Sequence, residues 1–222
     1  MDHAQAPTNL GADIMQGHGD ESGHPAYHAD LTVGYGIEYI WRGRVTSIIG
    51  QGTTRSYKSI ANWEEPIPSM RTLAKEAVKH VAARLGSRKY AMHKTNRVLQ
   101  HCSLRDKTTT LEFLRCNPHP HGVSAGDRGD RLEEVLTERF LNRLVETRGV
   151  CILYTHLGKI DFGPGLPDLS KQALRRLAEY SNSNRILVTT TCRLLSLLHP
   201  NNSGVVEQSV RLPWKQLKFP AL

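Results

Sequence analysis

The segment Val150-Cys151-Ile152-Leu153-Tyr154 is almost wholly apolar and stops abruptly at Thr155-His156. A short run of this kind reads as a strand covered on both faces, as in a parallel sheet packed between helices. Such a strand requires helices on either side of it in the chain, and the sequence supplies them. Leu136 to Val145 has helical spacing, with Thr137 as N-cap, Phe140, Leu141, Leu144 and Val145 inward, and Gly149 as terminator. Beyond Gly163-Pro164-Gly165, Ser170 caps a helix whose stripe is Ala173, Leu174, Leu177 and Ala178, and Asn182-Ser183-Asn184 breaks it. Arg185 to Thr189 then reads as a strand and Thr191 to Leu198 as a short helix.

Upstream the same alternation continues. Gly36 to Trp41 alternates as a strand does, and Val45 to Ile49 extends it or returns as a hairpin partner. Met70 to Leu85 is the clearest helix. Ser69 is its expected N-cap, and Met70, Leu73, Ala74, Ala77, Val78, Val81, Ala82 and Leu85 form one apolar stripe, expected to lie against a sheet. Lys89 to His93 and Leu111 to Cys116 read as further strands. Alternation from Gly34 to Leu198 predicts an α/β fold with mainly parallel strands. Residues 1–33 read as a disordered or irregular lead-in, 34–200 as the α/β domain and 201–222 as a C-terminal tail.

The chain carries 29 Lys and Arg against 21 Asp and Glu, a formal charge of +8. Such a surface attracts nucleic acid, anionic lipid or acidic glycans. The cations are scattered and aromatics make up only 6%, so a solvated basic surface is the plainer reading and a nucleic-acid- or polyanion-binding module the alternative. No apolar run reaches the ~18 residues of a membrane span, and no basic-then-apolar leader opens the chain. Cys102, Cys116, Cys151 and Cys192 are far apart with no CxxC pair; they read as reduced, buried small hydrophobes in a cytoplasmic setting. Motifs for phosphate-loop, dinucleotide, zincin and nucleophile-elbow chemistry are absent from the sequence.

In α/β folds ligands gather at the carboxyl ends of strands. His156, just past the apolar run, is the leading catalytic candidate, as a group that moves protons near neutral pH. Arg42 and Arg115 end strands and are suited to clamp a carboxylate or an oxyanion. Trp41 offers a stacking face for a sugar, or core packing. His93 and Asn96 share a turn and are candidate substrate-binding groups. His24 and His28, at i,i+4 spacing, are candidate metal ligands if that stretch is helical; a lead-in that merely contains histidines is the alternative. His119 and His121 read as a chance pair, and Glu133-Glu134 as a solvated helix start.

Leu153-Tyr154-Thr155-His156-Leu157-Gly158, Leu169 to Ala178, and Arg185-Ile186-Leu187-Val188-Thr189-Thr190 together resemble the last strand–helix–strand portion of the polysaccharide deacetylase superfamily. The resemblance implies a partial or distorted (β/α) barrel and a glycan or other small polar substrate. It also implies a divalent, zinc-like metal, and it gives His156 the role of protonating the leaving amine in N-deacetylation. The family's adjacent Asp pair has no counterpart, and in His24-Pro25-Ala26-Tyr27-His28 the proline follows the first histidine instead of the second. Fewer strand–helix units are present than a barrel uses, so the chain reads as the later part of such a domain or a shortened relative. The leading expectation is a metal-assisted hydrolase of N-acetyl amide bonds, or a degenerate relative that binds glycans. A basic binding module and a non-catalytic scaffold are the alternatives.

Overall fold

The computed structural model describes residues 18–55, 57–62, 64–119, 121, 126–156 and 165–200. The first half of the expected lead-in, Leu157-Gly158, Gly163-Pro164 and the expected tail lie outside these residues. The helices are α1 (Ala29–Gly34), α2 (Pro66–Arg84), α3 (Leu132–Val135), α4 (Glu138–Thr147), α5 (Asp168–Asn182) and α6 (Thr191–Leu197). The strands are β1 (Tyr39–Ile40), β2 (Val45–Thr46), β3 (Leu99–Ser103), β4 (Thr109–Phe113) and β5 (Arg115–Cys116).

Two small sheets carry the architecture. One has the order β1-β4-β3, with β1 parallel and β3 antiparallel to β4; the other pairs β2 with β5 in parallel. Residues 39–46 thus run alongside 111–116, and hydrogen bonds from Arg115 N–H to the Arg44 carbonyl and from Asn117 N–H to that of Thr46 continue the pairing. The arrangement is a mixed α/β one. Among the described residues these strands form two short sheets, and the barrel implied by the resemblance is not shown.

The apolar run at 150–154 is only partly covered, with Ile152 buried and Tyr154 exposed, and it forms no laddered strand. Val150 bridges Gln51 in antiparallel fashion, His156 bridges Arg128 in parallel, and between them Cys116 N–H donates to the Ile152 carbonyl. Its side chains divide between two cores. Ile152 and Val150 join Val98, Leu99, Leu111 and Leu195, while Cys151 and Leu153 pack on Ile49, Leu136, Phe140, Leu141, Ala173 and Tyr180.

Several local expectations hold. Thr137 caps α4 by accepting from Phe140 N–H, and the short helix expected from Thr191 forms as α6, where the structure shows Thr190 as the cap. Others are corrected. Arg185 to Thr189 is not a strand; Ile186 alone packs on a core, and Val188 is exposed. Lys89 to His93 ends in a 3-10 turn at Ala91–His93. Ser170 lies inside α5 and donates to Glu133 Oε2 at 3.0 Å, so that glutamate is tied to a helix instead of being merely solvated. Of the cysteines Cys116 is buried but Cys192 is exposed on α6.

The largest correction concerns α2. It starts at Pro66, and Ser69 does not cap it; its hydroxyl accepts from Asn62 N–H at 3.1 Å within the preceding loop's reach. Its inward residues are Ser69, Glu76 and Ala83, whereas Met70, Val78, Val81 and Leu85 are 55–83% exposed. The reason lies beneath the helix. Glu76 accepts from the Thr46 hydroxyl at 2.8 Å, Ser47 N–H at 3.2 Å and Lys79 Nζ at 2.7 Å, so a polar hub occupies the buried side. No helix among the described residues is long and apolar enough to cross a membrane.

Candidate functional site

Arg115, on β5, is 3% exposed. Its guanidinium carbon lies 4.4 Å from the Trp41 ring centroid and 4.1 Å from that of Tyr154, so the cation is layered between two aromatic faces. Nη2 donates to Asp127 Oδ1 at 3.0 Å, while Nε has no hydrogen-bond partner among the described residues. Burial pulls the guanidinium's pKa down and the Asp127 carboxylate opposes the shift. Trp41 is fixed from its edge: its indole N–H donates to the Arg44 carbonyl at 2.9 Å.

His156 completes the group. Its Nδ1 is hydrogen-bonded to the Tyr154 hydroxyl at 3.1 Å, and the two rings meet edge to face, with centroids 4.6 Å apart. Alternation along an extended chain places residues 154 and 156 on one side, which is why they meet. The His156 backbone N–H donates to the Asp127 carbonyl at 2.7 Å. Asp127 therefore holds Arg115 by its side chain and His156 by its backbone.

A buried layer supports Asp127. Asn117 donates to its carboxylate at 3.5 Å and accepts from His119 N–H at 2.9 Å. His119 is wholly buried; its Nδ1 accepts from His121 N–H at 3.0 Å, so in the neutral ring Nε2 carries the proton, which it donates to Glu134 at 2.5 Å. His119 is thus a bonded member of this layer and not half of a chance pair. Any Cβ on Gly126 would meet the Asn117 amide at 2.4 Å, so the loop before Asp127 closes directly on this layer.

The structure thus brings Trp41, Arg115 and His156 into one group, and it does not bring Arg42 and His93 to it. Arg42, one residue past Trp41, turns away and donates to Glu112 Oε2 from Nη2 at 2.6 Å and from Nε at 3.1 Å, with Asp20 3.6 Å away. It is a member of a buried ion network and not an oxyanion clamp. Asn96 donates to the carbonyls of Gly50 and Thr53, which occupies its amide in holding a loop. Tyr154, Asp127, Asn117 and Glu134 are the residues that sequence reasoning missed. Alternation from His156 offered a signal for Tyr154; Asp127 and Glu134 carried none.

His93 instead lines a small hollow with Thr46, Ile48, Glu76, His80, Asn96 and Leu114, with room for about one water. His93 Nδ1 lies 3.8 Å from Glu76 Oε2. Burial, followed by the Lys79 charge, pushes its pKa down from 6.5 to about 4. The unfolded chain then binds a proton that the folded chain refuses, so the stability is intact above pH 6.5 and is lost as pH falls toward 4. Urea unfolding of the native protein is expected to lose about 2–3 kcal/mol between pH 7 and 4.5 from this group. His93→Gln is expected to remove that part of the acid loss; the same pH dependence in both proteins would show that His93 is not held neutral.

The helical face expected to carry His24 and His28 does not form. Residues 21–28 turn, and helix begins at Ala29. His24 stacks on His18 at 4.1 Å and its Nδ1 accepts from Ala26 N–H, while His28 Nδ1 donates to the Ala26 carbonyl. Among the described residues no three His, Cys, Asp or Glu side chains converge as a metal-binding group. The donor set that a zinc-like ion would use is thus not assembled by these residues. Comparison of the chain with family models, with characterised proteins and with solved structures returns no match.

Proposed function

We propose that this chain is a carbohydrate-binding α/β protein whose ligand meets Trp41, Tyr154 and His156. The observation that carries this reading is the Trp41–Arg115–Tyr154 stack with His156 bonded to its edge. Each ring gives one face to Arg115, yet Trp41 and Tyr154 remain 37% and 43% exposed. A sugar offers an apolar C–H face and a rim of hydroxyls, and it matches an aromatic face beside a hydrogen-bonding imidazole. Arg115 is a positioning residue here, since its guanidinium is covered by the rings and tied to Asp127. Recognition of a glycan is the reading that the assembled groups support best, since the described residues bring together aromatic faces and an imidazole and not a set of metal ligands.

Titration of the full chain with chitooligosaccharide, followed by calorimetry and tryptophan fluorescence, tests the proposal. Saturable binding is expected, with Trp41→Ala and Tyr154→Ala each weakening it by roughly tenfold or more, the loss of one aromatic contact. Binding that is absent, or equal in both variants, would end the proposal. Release of acetate that His156→Ala abolishes would instead favour the hydrolase reading.

A further inference from the structure

Among the described residues, helix α2 leaves its apolar stripe unpartnered. The spacing of Ile67 and Leu85 is five full turns, so they share one bearing, with Met70 and Val81 to one side of it and Val78 to the other. Their exposures run from 55% at Val81 to 83% at Leu85. The stripe follows most of a 19-residue helix, about 28 Å. Both of its rims are cationic: Arg71 and Lys75 lie along one and Arg84 along the other, all three exposed. None of these cations forms an ion pair among the described residues, and the helix's own carboxylate, Glu76, is 3% exposed on the opposite side. Arg88, just past the helix, is exposed as well.

We infer that α2 is a docking face for an anionic lipid surface, on which the aliphatic stripe enters the headgroup boundary and the flanking cations meet lipid phosphates. Charge complementarity selects this occupant. A second copy of the chain would bring cationic rims against cationic rims, which opposes pairing. The stripe is convex and aliphatic, without the aromatic anchors that dominate protein interfaces. A flat, fluid, negatively charged surface accepts a convex helix of this kind lying in its plane. The helix is amphipathic and does not cross the bilayer. This inference is independent of the glycan site, which involves no residue of α2.

The test is flotation of the full chain with vesicles of phosphatidylcholine, alone or with about 30% phosphatidylglycerol. Binding to the anionic vesicles only is expected, and it should fall roughly tenfold or more when salt rises to about 0.5 M. Val78→Asp/Leu85→Asp is expected to abolish binding, and Arg71→Glu/Lys75→Glu to reduce it at least about tenfold. All four positions are exposed, so unchanged circular dichroism and melting should accompany both losses. Trp41→Ala should bind vesicles as the native chain does. Failure of the native chain to bind anionic vesicles at low salt would overturn the inference. So would undiminished binding by Val78→Asp/Leu85→Asp, or dimerisation that this variant dissolves.

Discussion

Glu112→Gln is expected to lower stability by about 3–5 kcal/mol, the cost of removing one partner from a buried ion pair. Glu112 is 1% exposed on β4, with Arg42 bonded to Oε2 at 2.6 Å and Arg44 Nε 3.6 Å from Oε1. The neutral amide keeps the shape but leaves two guanidinium groups facing each other without their shared counter-charge. Arg44 cannot turn to water, since it is 1% exposed and its amino groups donate to the carbonyls of Arg42 and Arg88. A melting temperature lower by roughly 6–20 °C is the readout for a chain of this size. Exchanging Arg42, Arg44 and Glu112 together for apolar residues of similar volume should recover most of the loss, because a buried pair and a well-packed apolar replacement are close in energy. A change within about 1 kcal/mol for Glu112→Gln would mean that the network is open to water. The variant should also disturb Trp41, which precedes Arg42 and is held by the Arg44 carbonyl.

Leu141→Ala is expected to cost about 2–5 kcal/mol in urea unfolding, with the denaturant slope unchanged. Leu141 is 0% exposed and sits in the core formed by α4, α5 and Cys116 of β5. Removing its isobutyl group leaves a cavity under the strand that carries Arg115. Val78→Ala on α2 is the matching control. At 65% exposure it should change stability by no more than about 0.5 kcal/mol. Equal losses in the two variants would show that α2 faces the opposite way.

That contrast shows where the sequence was informative. Phe140 and Leu141 were legible because α4 has both a capping threonine and one apolar face, and the two signals agree. In α2 the stripe was equally legible, but periodicity says which residues share a face and not which way the face points. The direction was decided by Glu76, whose partners Thr46 and Ser47 lie 30 and 29 positions away. The run at 150–154 was read as covered on both sides; Val150 to Leu153 do pack on two cores, but only Ile152 is buried and Tyr154 is exposed. A ladder needs neighbours, and the bonds at Val150, Ile152 and His156 go to three separate segments. Arg185 to Thr189 has strand-like composition and no partner at all among the described strands. The same logic applies to the site. Trp41, Arg115 and His156 were visible as polar or aromatic groups at strand ends. Their common anchor, Asp127, was not, since a single aspartate in a loop carries no period.

The pairing of β1 with β4 and β2 with β5 has a consequence for how the molecule assembles. Tyr39 lies beside Leu111 and Val45 beside Arg115, so each parallel contact closes a loop of seventy residues or more. Among the described strands only the β3–β4 hairpin is local. Distant contacts of this kind carry a large closure entropy before they return any stabilisation, and they slow the search. The expected order is therefore hairpin and α4 first, with residues 39–46 captured late. During synthesis the Trp41 half of the aromatic stack must wait for Arg115 to emerge.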